Sequence, residues 1–135
     1  MNKTFFIAIL FLLPVFLVGC SDHVHISGRV TYSDDGTPLE AGTVIFETST
    51  FHARGEIGQD GRYTLATHRP GDGLPPGMYR VYVATAFRYE TPPGSERSIE
   101  IPLIAPQFTE AATSGLEVNV DRNTRTFDFQ VDRAP

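Results

Sequence analysis

Apolar and polar side chains alternate with a period of two through most of the chain beyond residue 22, and no window longer than two turns carries helical periodicity. Such a chain buries one side of each short segment as a strand, which restricts it to packed sheets. Val24, Ile26, Gly28, Val30 and Tyr32 alternate with His23, His25, Ser27, Arg29 and Thr31. Val44 and Phe46 alternate with Thr43, Ile45 and Glu47, and a weaker strand follows over 54–58. Residues 62–67 direct Tyr63 and Leu65 inward. Over 78–85, Tyr79, Val81 and Val83 share one face while Tyr82 and Ala84 make the other partly apolar, the pattern of a well-covered central strand. The clearest alternations come last, in Leu116, Val118 and Val120, then in Phe127, Phe129 and Val131.

Turn chemistry separates these segments. Asp34-Asp35-Gly36, the proline- and glycine-rich stretch from Pro70 to Gly77, and Arg122-Asn123-Thr124-Arg125 are turns or breaks, and Gln59-Asp60-Gly61 is a hairpin signal ahead of residues 62–67. About seven short strands at this spacing predict an all-β, antiparallel Greek-key β-sandwich. Within it Gly28 permits close approach of a second chain segment, and Tyr63 and Tyr79 bury their rings while their hydroxyls reach backbone acceptors. The segments SGRVTYSDDGTPLEAGTVIF, IGQDGRYTLAT and LPPGMYRVYVAT resemble the successive strand pairs of the carboxypeptidase regulatory-like domain. ATSGLEVNV and NTRTFDFQV are similar to the tail of small lipoproteins common in planctomycete-type bacteria. The resemblance runs from Ile26 to Val131 and implies a transthyretin-like (prealbumin-like) sandwich; its motifs are turn and core signals that say almost nothing about activity.

The amino terminus has a different character. Lys3 precedes an apolar run of about 14 residues, Phe5 to Val18, which is too short for the roughly 20 residues of a spanning helix and has the form of a secretory signal peptide. Leu17, Val18, Gly19 and Cys20 resemble the lipobox of bacterial lipoproteins, and Cys20 is the sole cysteine. The resemblance implies cleavage after residue 19, a diacylglyceryl group on the Cys20 sulfur and a fatty acyl chain, such as palmitate, on the new amine. Two or three acyl chains hold a protein on a membrane far more firmly than one. The expected organisation is a signal peptide over 1–19, a lipidated terminus and short tether over 20–25, and a sandwich over 26–132 with a long loop at 86–115.

The whole chain carries a formal charge of -5, and the basic residues after the signal are all arginine. This acidic balance argues against nucleic acid as a partner. With no lysine after Lys3, Schiff-base chemistry and lysine-to-asparagine isopeptide cross-links are excluded from the mature chain.

Few residues suggest chemistry. His23 and His25, two apart on a strand, project from one face and are the weak candidates for a metal site, but no third ligand is identifiable. Asp34-Asp35-Gly36, Asp60-Gly61 and Asp72-Gly73 are turn sequences without calcium-loop spacing. No G-x-S-x-G elbow surrounds a serine, and His52 and His68 stand alone. Enzymes of the hydroxyisourate-hydrolase type share the transthyretin-like fold, but their tyrosine-arginine-glycine-serine tail is replaced here by Asp132-Arg133-Ala134-Pro135. The long loop is the segment least explained by folding alone. Phe87, Arg88 and Tyr89 are its candidate ligand contacts, Ile99 and Ile101 suggest an extra edge strand, residues 109–113 a helical turn, and Phe108 with the isoleucines a cap on the core.

The expectation is a non-catalytic, cofactor-free binding or structural module of the cell envelope. It is anchored to a bacterial membrane through N-terminal lipid, on the periplasmic or cell-surface side, with an envelope protein or glycan as partner. The alternatives are a carbohydrate- or peptide-binding accessory domain using the 86–108 loop and, more distantly, a hydrolase.

Overall fold

The computed structural model describes residues 22–135, so Leu17, Val18, Gly19 and Cys20 lie outside the described residues. The alternating segments become strands: β1 (Ser27–Tyr32), β2 (Thr43–Glu47), β3 (His52–Glu56), β4 (Arg62–Thr64), β5 (Gly77–Ala84), β6 (Phe87–Glu90), β7 (Ile99–Pro102), β8 (Leu116–Val120) and β9 (Phe129–Val131). Seven of them form two sheets, in the orders β4-β1-β9 and β3-β2-β5-β8, while β6 and β7 pair only with each other. β2 and β5 are neighbours although β3 and β4 intervene in sequence, the non-sequential pairing of a Greek key. The protein is a β-sandwich. Among the described residues no helix is long and apolar enough to cross a membrane.

The core fills the space between the two sheets. Val30, Leu39, Val44, Phe46, Leu65, Val81, Val83 and Val131 are fully enclosed, and each such side chain contributes about 1.5–3 kcal/mol through burial. Phe46 lies at the centre of an aromatic cluster, with ring centroids 6.0 Å from Tyr79, 6.5 Å from Tyr63 and 5.7 Å from Phe127, the last edge-on. The Tyr63 hydroxyl donates to the Phe127 carbonyl, and the Tyr79 hydroxyl donates to the Pro75 carbonyl at 2.7 Å. Both rings are therefore buried without an orphaned hydroxyl.

The structure corrects three expectations. First, one pair in the sandwich is parallel: β1 runs alongside β9 with Val30 opposite Phe129 and Tyr32 opposite Val131. The turn after β8 returns the chain to the end where β1 begins, through Ser27 N–H to Arg125 O at 3.1 Å and Phe127 N–H to Ser27 O at 3.0 Å, so both strands leave in the same direction. Second, the Asp60-Gly61 turn does not make a simple hairpin, because β3 joins β2 while β4 joins β1. The two arms touch through the Arg54–Ala66 bridge and through Gly58 N–H to Arg62 O at 2.9 Å, and the turn carries the chain from one sheet to the other. Third, the tether is shorter than residues 20–25. Val24 is buried and exchanges two backbone hydrogen bonds with Leu74, at 2.8 and 2.9 Å, so the body already begins there.

Residues 86–115 are an ordered element. β6 and β7 form a hairpin with Arg88 opposite Ile101 and Tyr89 opposite Glu100, followed by a 3-10 turn at Pro106–Thr109. The helical turn thus begins about three residues earlier than expected, although Glu110 O still accepts from Ser114 N–H at 3.0 Å before Gly115 adopts positive φ. Ile104 and Phe108 cap the core, whereas Ile99 is 47% exposed and caps nothing.

Gly28 is where the two halves of the small sheet come together. A Cβ there would collide with the Phe127 carbonyl and lie 2.8 Å from the Tyr63 hydroxyl. Gly28→Ala is expected to reduce unfolding free energy by about 3 kcal/mol in urea titration, with the β-type circular dichroism retained. A change below about 0.5 kcal/mol, the range of a neutral surface substitution, would contradict this packing.

Candidate functional site

Two of the loop residues singled out in the sequence, Phe87 and Arg88, meet the chain terminus at one end of the sandwich. A groove of about 500 Å³ opens between the turn after β1 and the root of the β6–β7 hairpin, lined by Tyr32, Asp35, Glu40, Phe87, Arg88 and Arg133 among others. A shallower recess of about 250 Å³ continues it past Ile101, Leu103 and Pro135. Thr85 turns the chain out of β5 into the hairpin with a φ of 55°, a left-handed conformation that disfavours a β-branched residue, and its Oγ1 lies 3.2 Å from Thr43 Oγ1.

Arg133 organises the groove. Its guanidinium carbon stands 3.7 Å from the centroid of the Tyr32 ring, a cation–π contact. Nε donates to Asp34 at 2.8 Å, and Nη2 donates to Asp35 at 3.0 Å and to Thr37 Oγ1 at 2.9 Å. The terminal segment is held by Ala105 N–H to Asp132 O at 2.8 Å and Ala134 N–H to Leu103 O at 3.2 Å. Asp35 also accepts from the backbone N–H of Thr37 at 2.9 Å and its hydroxyl at 2.7 Å. These bonds, with Arg133 contributing, hold the Asp35 carboxyl down from 3.8 to about 2. Burial raises the Tyr32 hydroxyl above its ordinary range despite the opposing pull of Arg133.

The hairpin contributes unevenly. Phe87 is half-buried at its root and Arg88 is exposed, both lining the groove. Tyr89 stands farther out, 68% exposed, its hydroxyl donating to Glu100 at 3.3 Å. Arg88 pairs with Glu90 at 2.8 Å on the opposite hairpin face. The groove offers aromatic surface, a fixed guanidinium and carboxylates, which together suit a polar ligand with hydroxyl or amide groups. Tyr32 and Arg133 leave no local trace as partners, because some 98 or 99 residues separate Arg133 from the Asp34–Asp35 turn that holds it.

The remaining candidates lie elsewhere. His23 and His25 are exposed on either side of buried Val24, and His23 Nδ1 lies 3.1 Å from the Asp72 carbonyl oxygen. Among the described residues no group of three or more His, Cys, Asp or Glu side chains is arranged to hold a metal. Asp60 and Asp72 accept backbone N–H groups within their own turns, Asp60 from Arg62 at 3.1 Å and Asp72 from Thr67 at 2.7 Å. His52 and His68 are both exposed.

No family model matches the chain, and no curated protein matches it. Among solved structures, the fold is similar to that of the major pilin subunit of Bacillus cereus, with a TM-score of 0.50 at 12% identity over 84% of this chain. The chain spans 30% of that pilin's length. A 9R-lipoxygenase from Cyanothece matches with a TM-score of 0.35 at 14% identity, over 81% of this chain and 16% of the other. The pilin likeness is one of fold, a β-sandwich.

The Asp35 contacts predict an acid limb in stability. A carboxyl whose folded value lies below its ordinary one stabilises fully above about pH 3.8 and loses that contribution as pH falls through about 2. Melting temperature followed downward from about pH 5 is expected to fall less steeply for Asp35→Asn than for the wild type. Parallel curves would show that the turn contributes nothing.

Proposed function

We propose that this protein is a lipid-anchored extracytoplasmic β-sandwich that serves as a non-catalytic binding or structural module of the bacterial envelope. The observation that carries this reading is the apolar run ending in Leu17-Val18-Gly19-Cys20, placed two residues ahead of Asp22, where the described body begins. Cleavage before Cys20 would leave a compact domain close against its anchor. The resemblance to carboxypeptidase regulatory-like domains, and with it the transthyretin-like form of the sandwich, belongs to this reading.

The body offers two places for a partner. One is the outer edge of β8, whose residues Glu117 to Val120 make no backbone hydrogen bonds beyond their ladder with β5 among the described residues. An open edge of this kind accepts a partner's strand. The other is the hairpin with its groove. Its ordered yet exposed Tyr89 and Ile99 support the second reading, a carbohydrate- or peptide-binding accessory using residues 86–108. Tethering raises the effective concentration of either surface toward anything on the same membrane, so weak contacts suffice.

Cys20→Ser is expected to shift the protein from the membrane fraction to a soluble or unprocessed form. A variant still cleaved and still membrane-bound would contradict the anchor. Joint alanine replacement of Phe87, Arg88 and Tyr89 separates the partner surfaces. Loss of retention on cell-wall glycan, with a modest stability change of about 1 kcal/mol from Phe87, is the accessory outcome. Unchanged retention assigns partner binding to the β8 edge.

A further inference from the structure

The edges of the two sheets are guarded unequally. β3 uses the outward backbone groups of Arg54 on Ala66, through Arg54 N–H to Ala66 O at 3.0 Å and Ala66 N–H to Arg54 O at 2.9 Å. In the small sheet β4 is three residues long, and its Arg62 carbonyl accepts from Gly58 N–H at 2.9 Å. β9 is equally short, and residues 103–105 cover its continuation through Ala105 N–H to Asp132 O and Ala134 N–H to Leu103 O. β8 is last in its sheet and five residues long, and no such segment lies along it among the described residues. It also lacks the usual edge defences, with no proline, no lysine and no charge directed into the core.

Ser114 shows which backbone groups of β8 face outward. Its buried hydroxyl donates to Val81 O at 2.6 Å and accepts from Leu116 N–H at 3.2 Å, so Val81 and Leu116, opposite one another in the ladder, turn their backbone groups toward each other. Backbone direction alternates along a strand. Leu116, Val118 and Val120 therefore bond toward β5, while the N–H and C=O groups of Glu117 and Asn119 face away from it. The side chains of Leu116 and Val118 are only half-buried, whereas Val81 and Tyr79 opposite them are fully enclosed. Glu117 and Asn119 are exposed on the outer face, where Glu117 lies opposite Arg80. A strand added here would satisfy the free groups of both residues and finish the covering of Leu116 and Val118.

We propose that the strand added at this edge is the β8 of a second copy of this chain, paired antiparallel about a two-fold through Val118. The inference rests on the open-edge reading above and names its partner. Antiparallel pairing must set outward groups opposite outward groups, so the two-fold falls at Glu117, Val118 or Asn119 if three or more β8 residues are to pair. Centred on Glu117 it sets the two Glu117 carboxylates opposite one another, and centred on Asn119 it sets Glu117 opposite Asp121 of the second copy. Like charges directly opposite destabilise a sheet. Centred on Val118 it aligns all five residues, with Glu117 opposite the Asn119 amide, Leu116 opposite Val120 and Val118 opposite its counterpart. The strand thus complements its own copy in one register, and two four-stranded sheets join into one. Five residues a side is small against the roughly 800 Å² that each partner buries in a standard interface, so the pair is weak in free solution. Copies held on one membrane need less affinity. There the two-fold stands along the membrane normal, and the joined sheet lies parallel to the surface.

The test uses the chain from Ser21 to Pro135, which holds all nine strands and the whole core and has no cysteine of its own. Glu117→Cys and Asn119→Cys are prepared separately and oxidised mildly, each alone and the two mixed. In the proposed register residue 117 stands about 5.5 Å at Cα from residue 119 of the second copy, within disulfide reach, while the two copies of residue 117, or of residue 119, stand beyond about 7 Å. The mixed disulfide is expected to form about ten-fold faster than the disulfide of either variant with itself. Without added thiols, Asn119→Arg is expected to raise the weight-average mass in sedimentation equilibrium and Asn119→Glu to lower it to that of the monomer, with the β-type circular dichroism retained, because the exposed residue 119 meets Glu117 of the second copy. Equal disulfide rates in the three samples, or a mass indifferent to the Asn119 replacements, would overturn the proposal. The chain tested has neither lipid nor glycan present, so its failure is distinct from failure of the anchor or of the edge as a site for another protein's strand, which the fractionation and retention measurements read separately.

Discussion

The sandwich depends on one close approach, between the backbone at Gly28 and the Phe127 carbonyl, with the Tyr63 hydroxyl bonded to the same oxygen. Gly28 pairs with Tyr63 on β4, and Phe127 is the residue through which the last segment joins β1. The contact therefore ties three parts of the chain that are far apart in sequence. It also places Phe127 edge-on to Phe46 and in contact with Phe129, so the aromatic cluster and the small sheet close together. Burial supplies the bulk of the stabilisation, while this contact selects one arrangement of the two layers.

Much of this was legible in the residues, because burial on one side imposes a period of two regardless of partner. The alternation in β2, β5 and β8, the inward Tyr63 and Leu65, and the two tyrosine hydroxyls on backbone acceptors all follow from local pattern and the need to satisfy buried polar atoms. Pairing was not legible. Whether Asp60-Gly61 joins two strands of one sheet or carries the chain between sheets depends on what β4 finds across the core, and the turn residues are the same in either case. The parallel alignment of β1 with β9 was hidden for the same reason.

The site was half legible. Phe87 and Arg88 line the groove, but they do so because Thr85 deflects the chain and Arg133 arrives from the far terminus, neither of which leaves a local trace. Ile99 and Ile101 look like core by composition, yet Ile99 is largely exposed in a hairpin attached to neither sheet. An isolated two-stranded hairpin has little stability of its own, so the half-buried Phe87 and Leu103 at its root and the terminal segment holding Leu103 bear on its order.

The proposed anchor would account for a single thiol standing between the apolar run and the sheets. The measurement that bears most directly on this account is the mass of the N-terminal peptide from protein purified out of its native host. The account predicts that the peptide begins at Cys20 and carries a diacylglyceryl group. A free Cys20 thiol, or a terminus at any other residue, would contradict it.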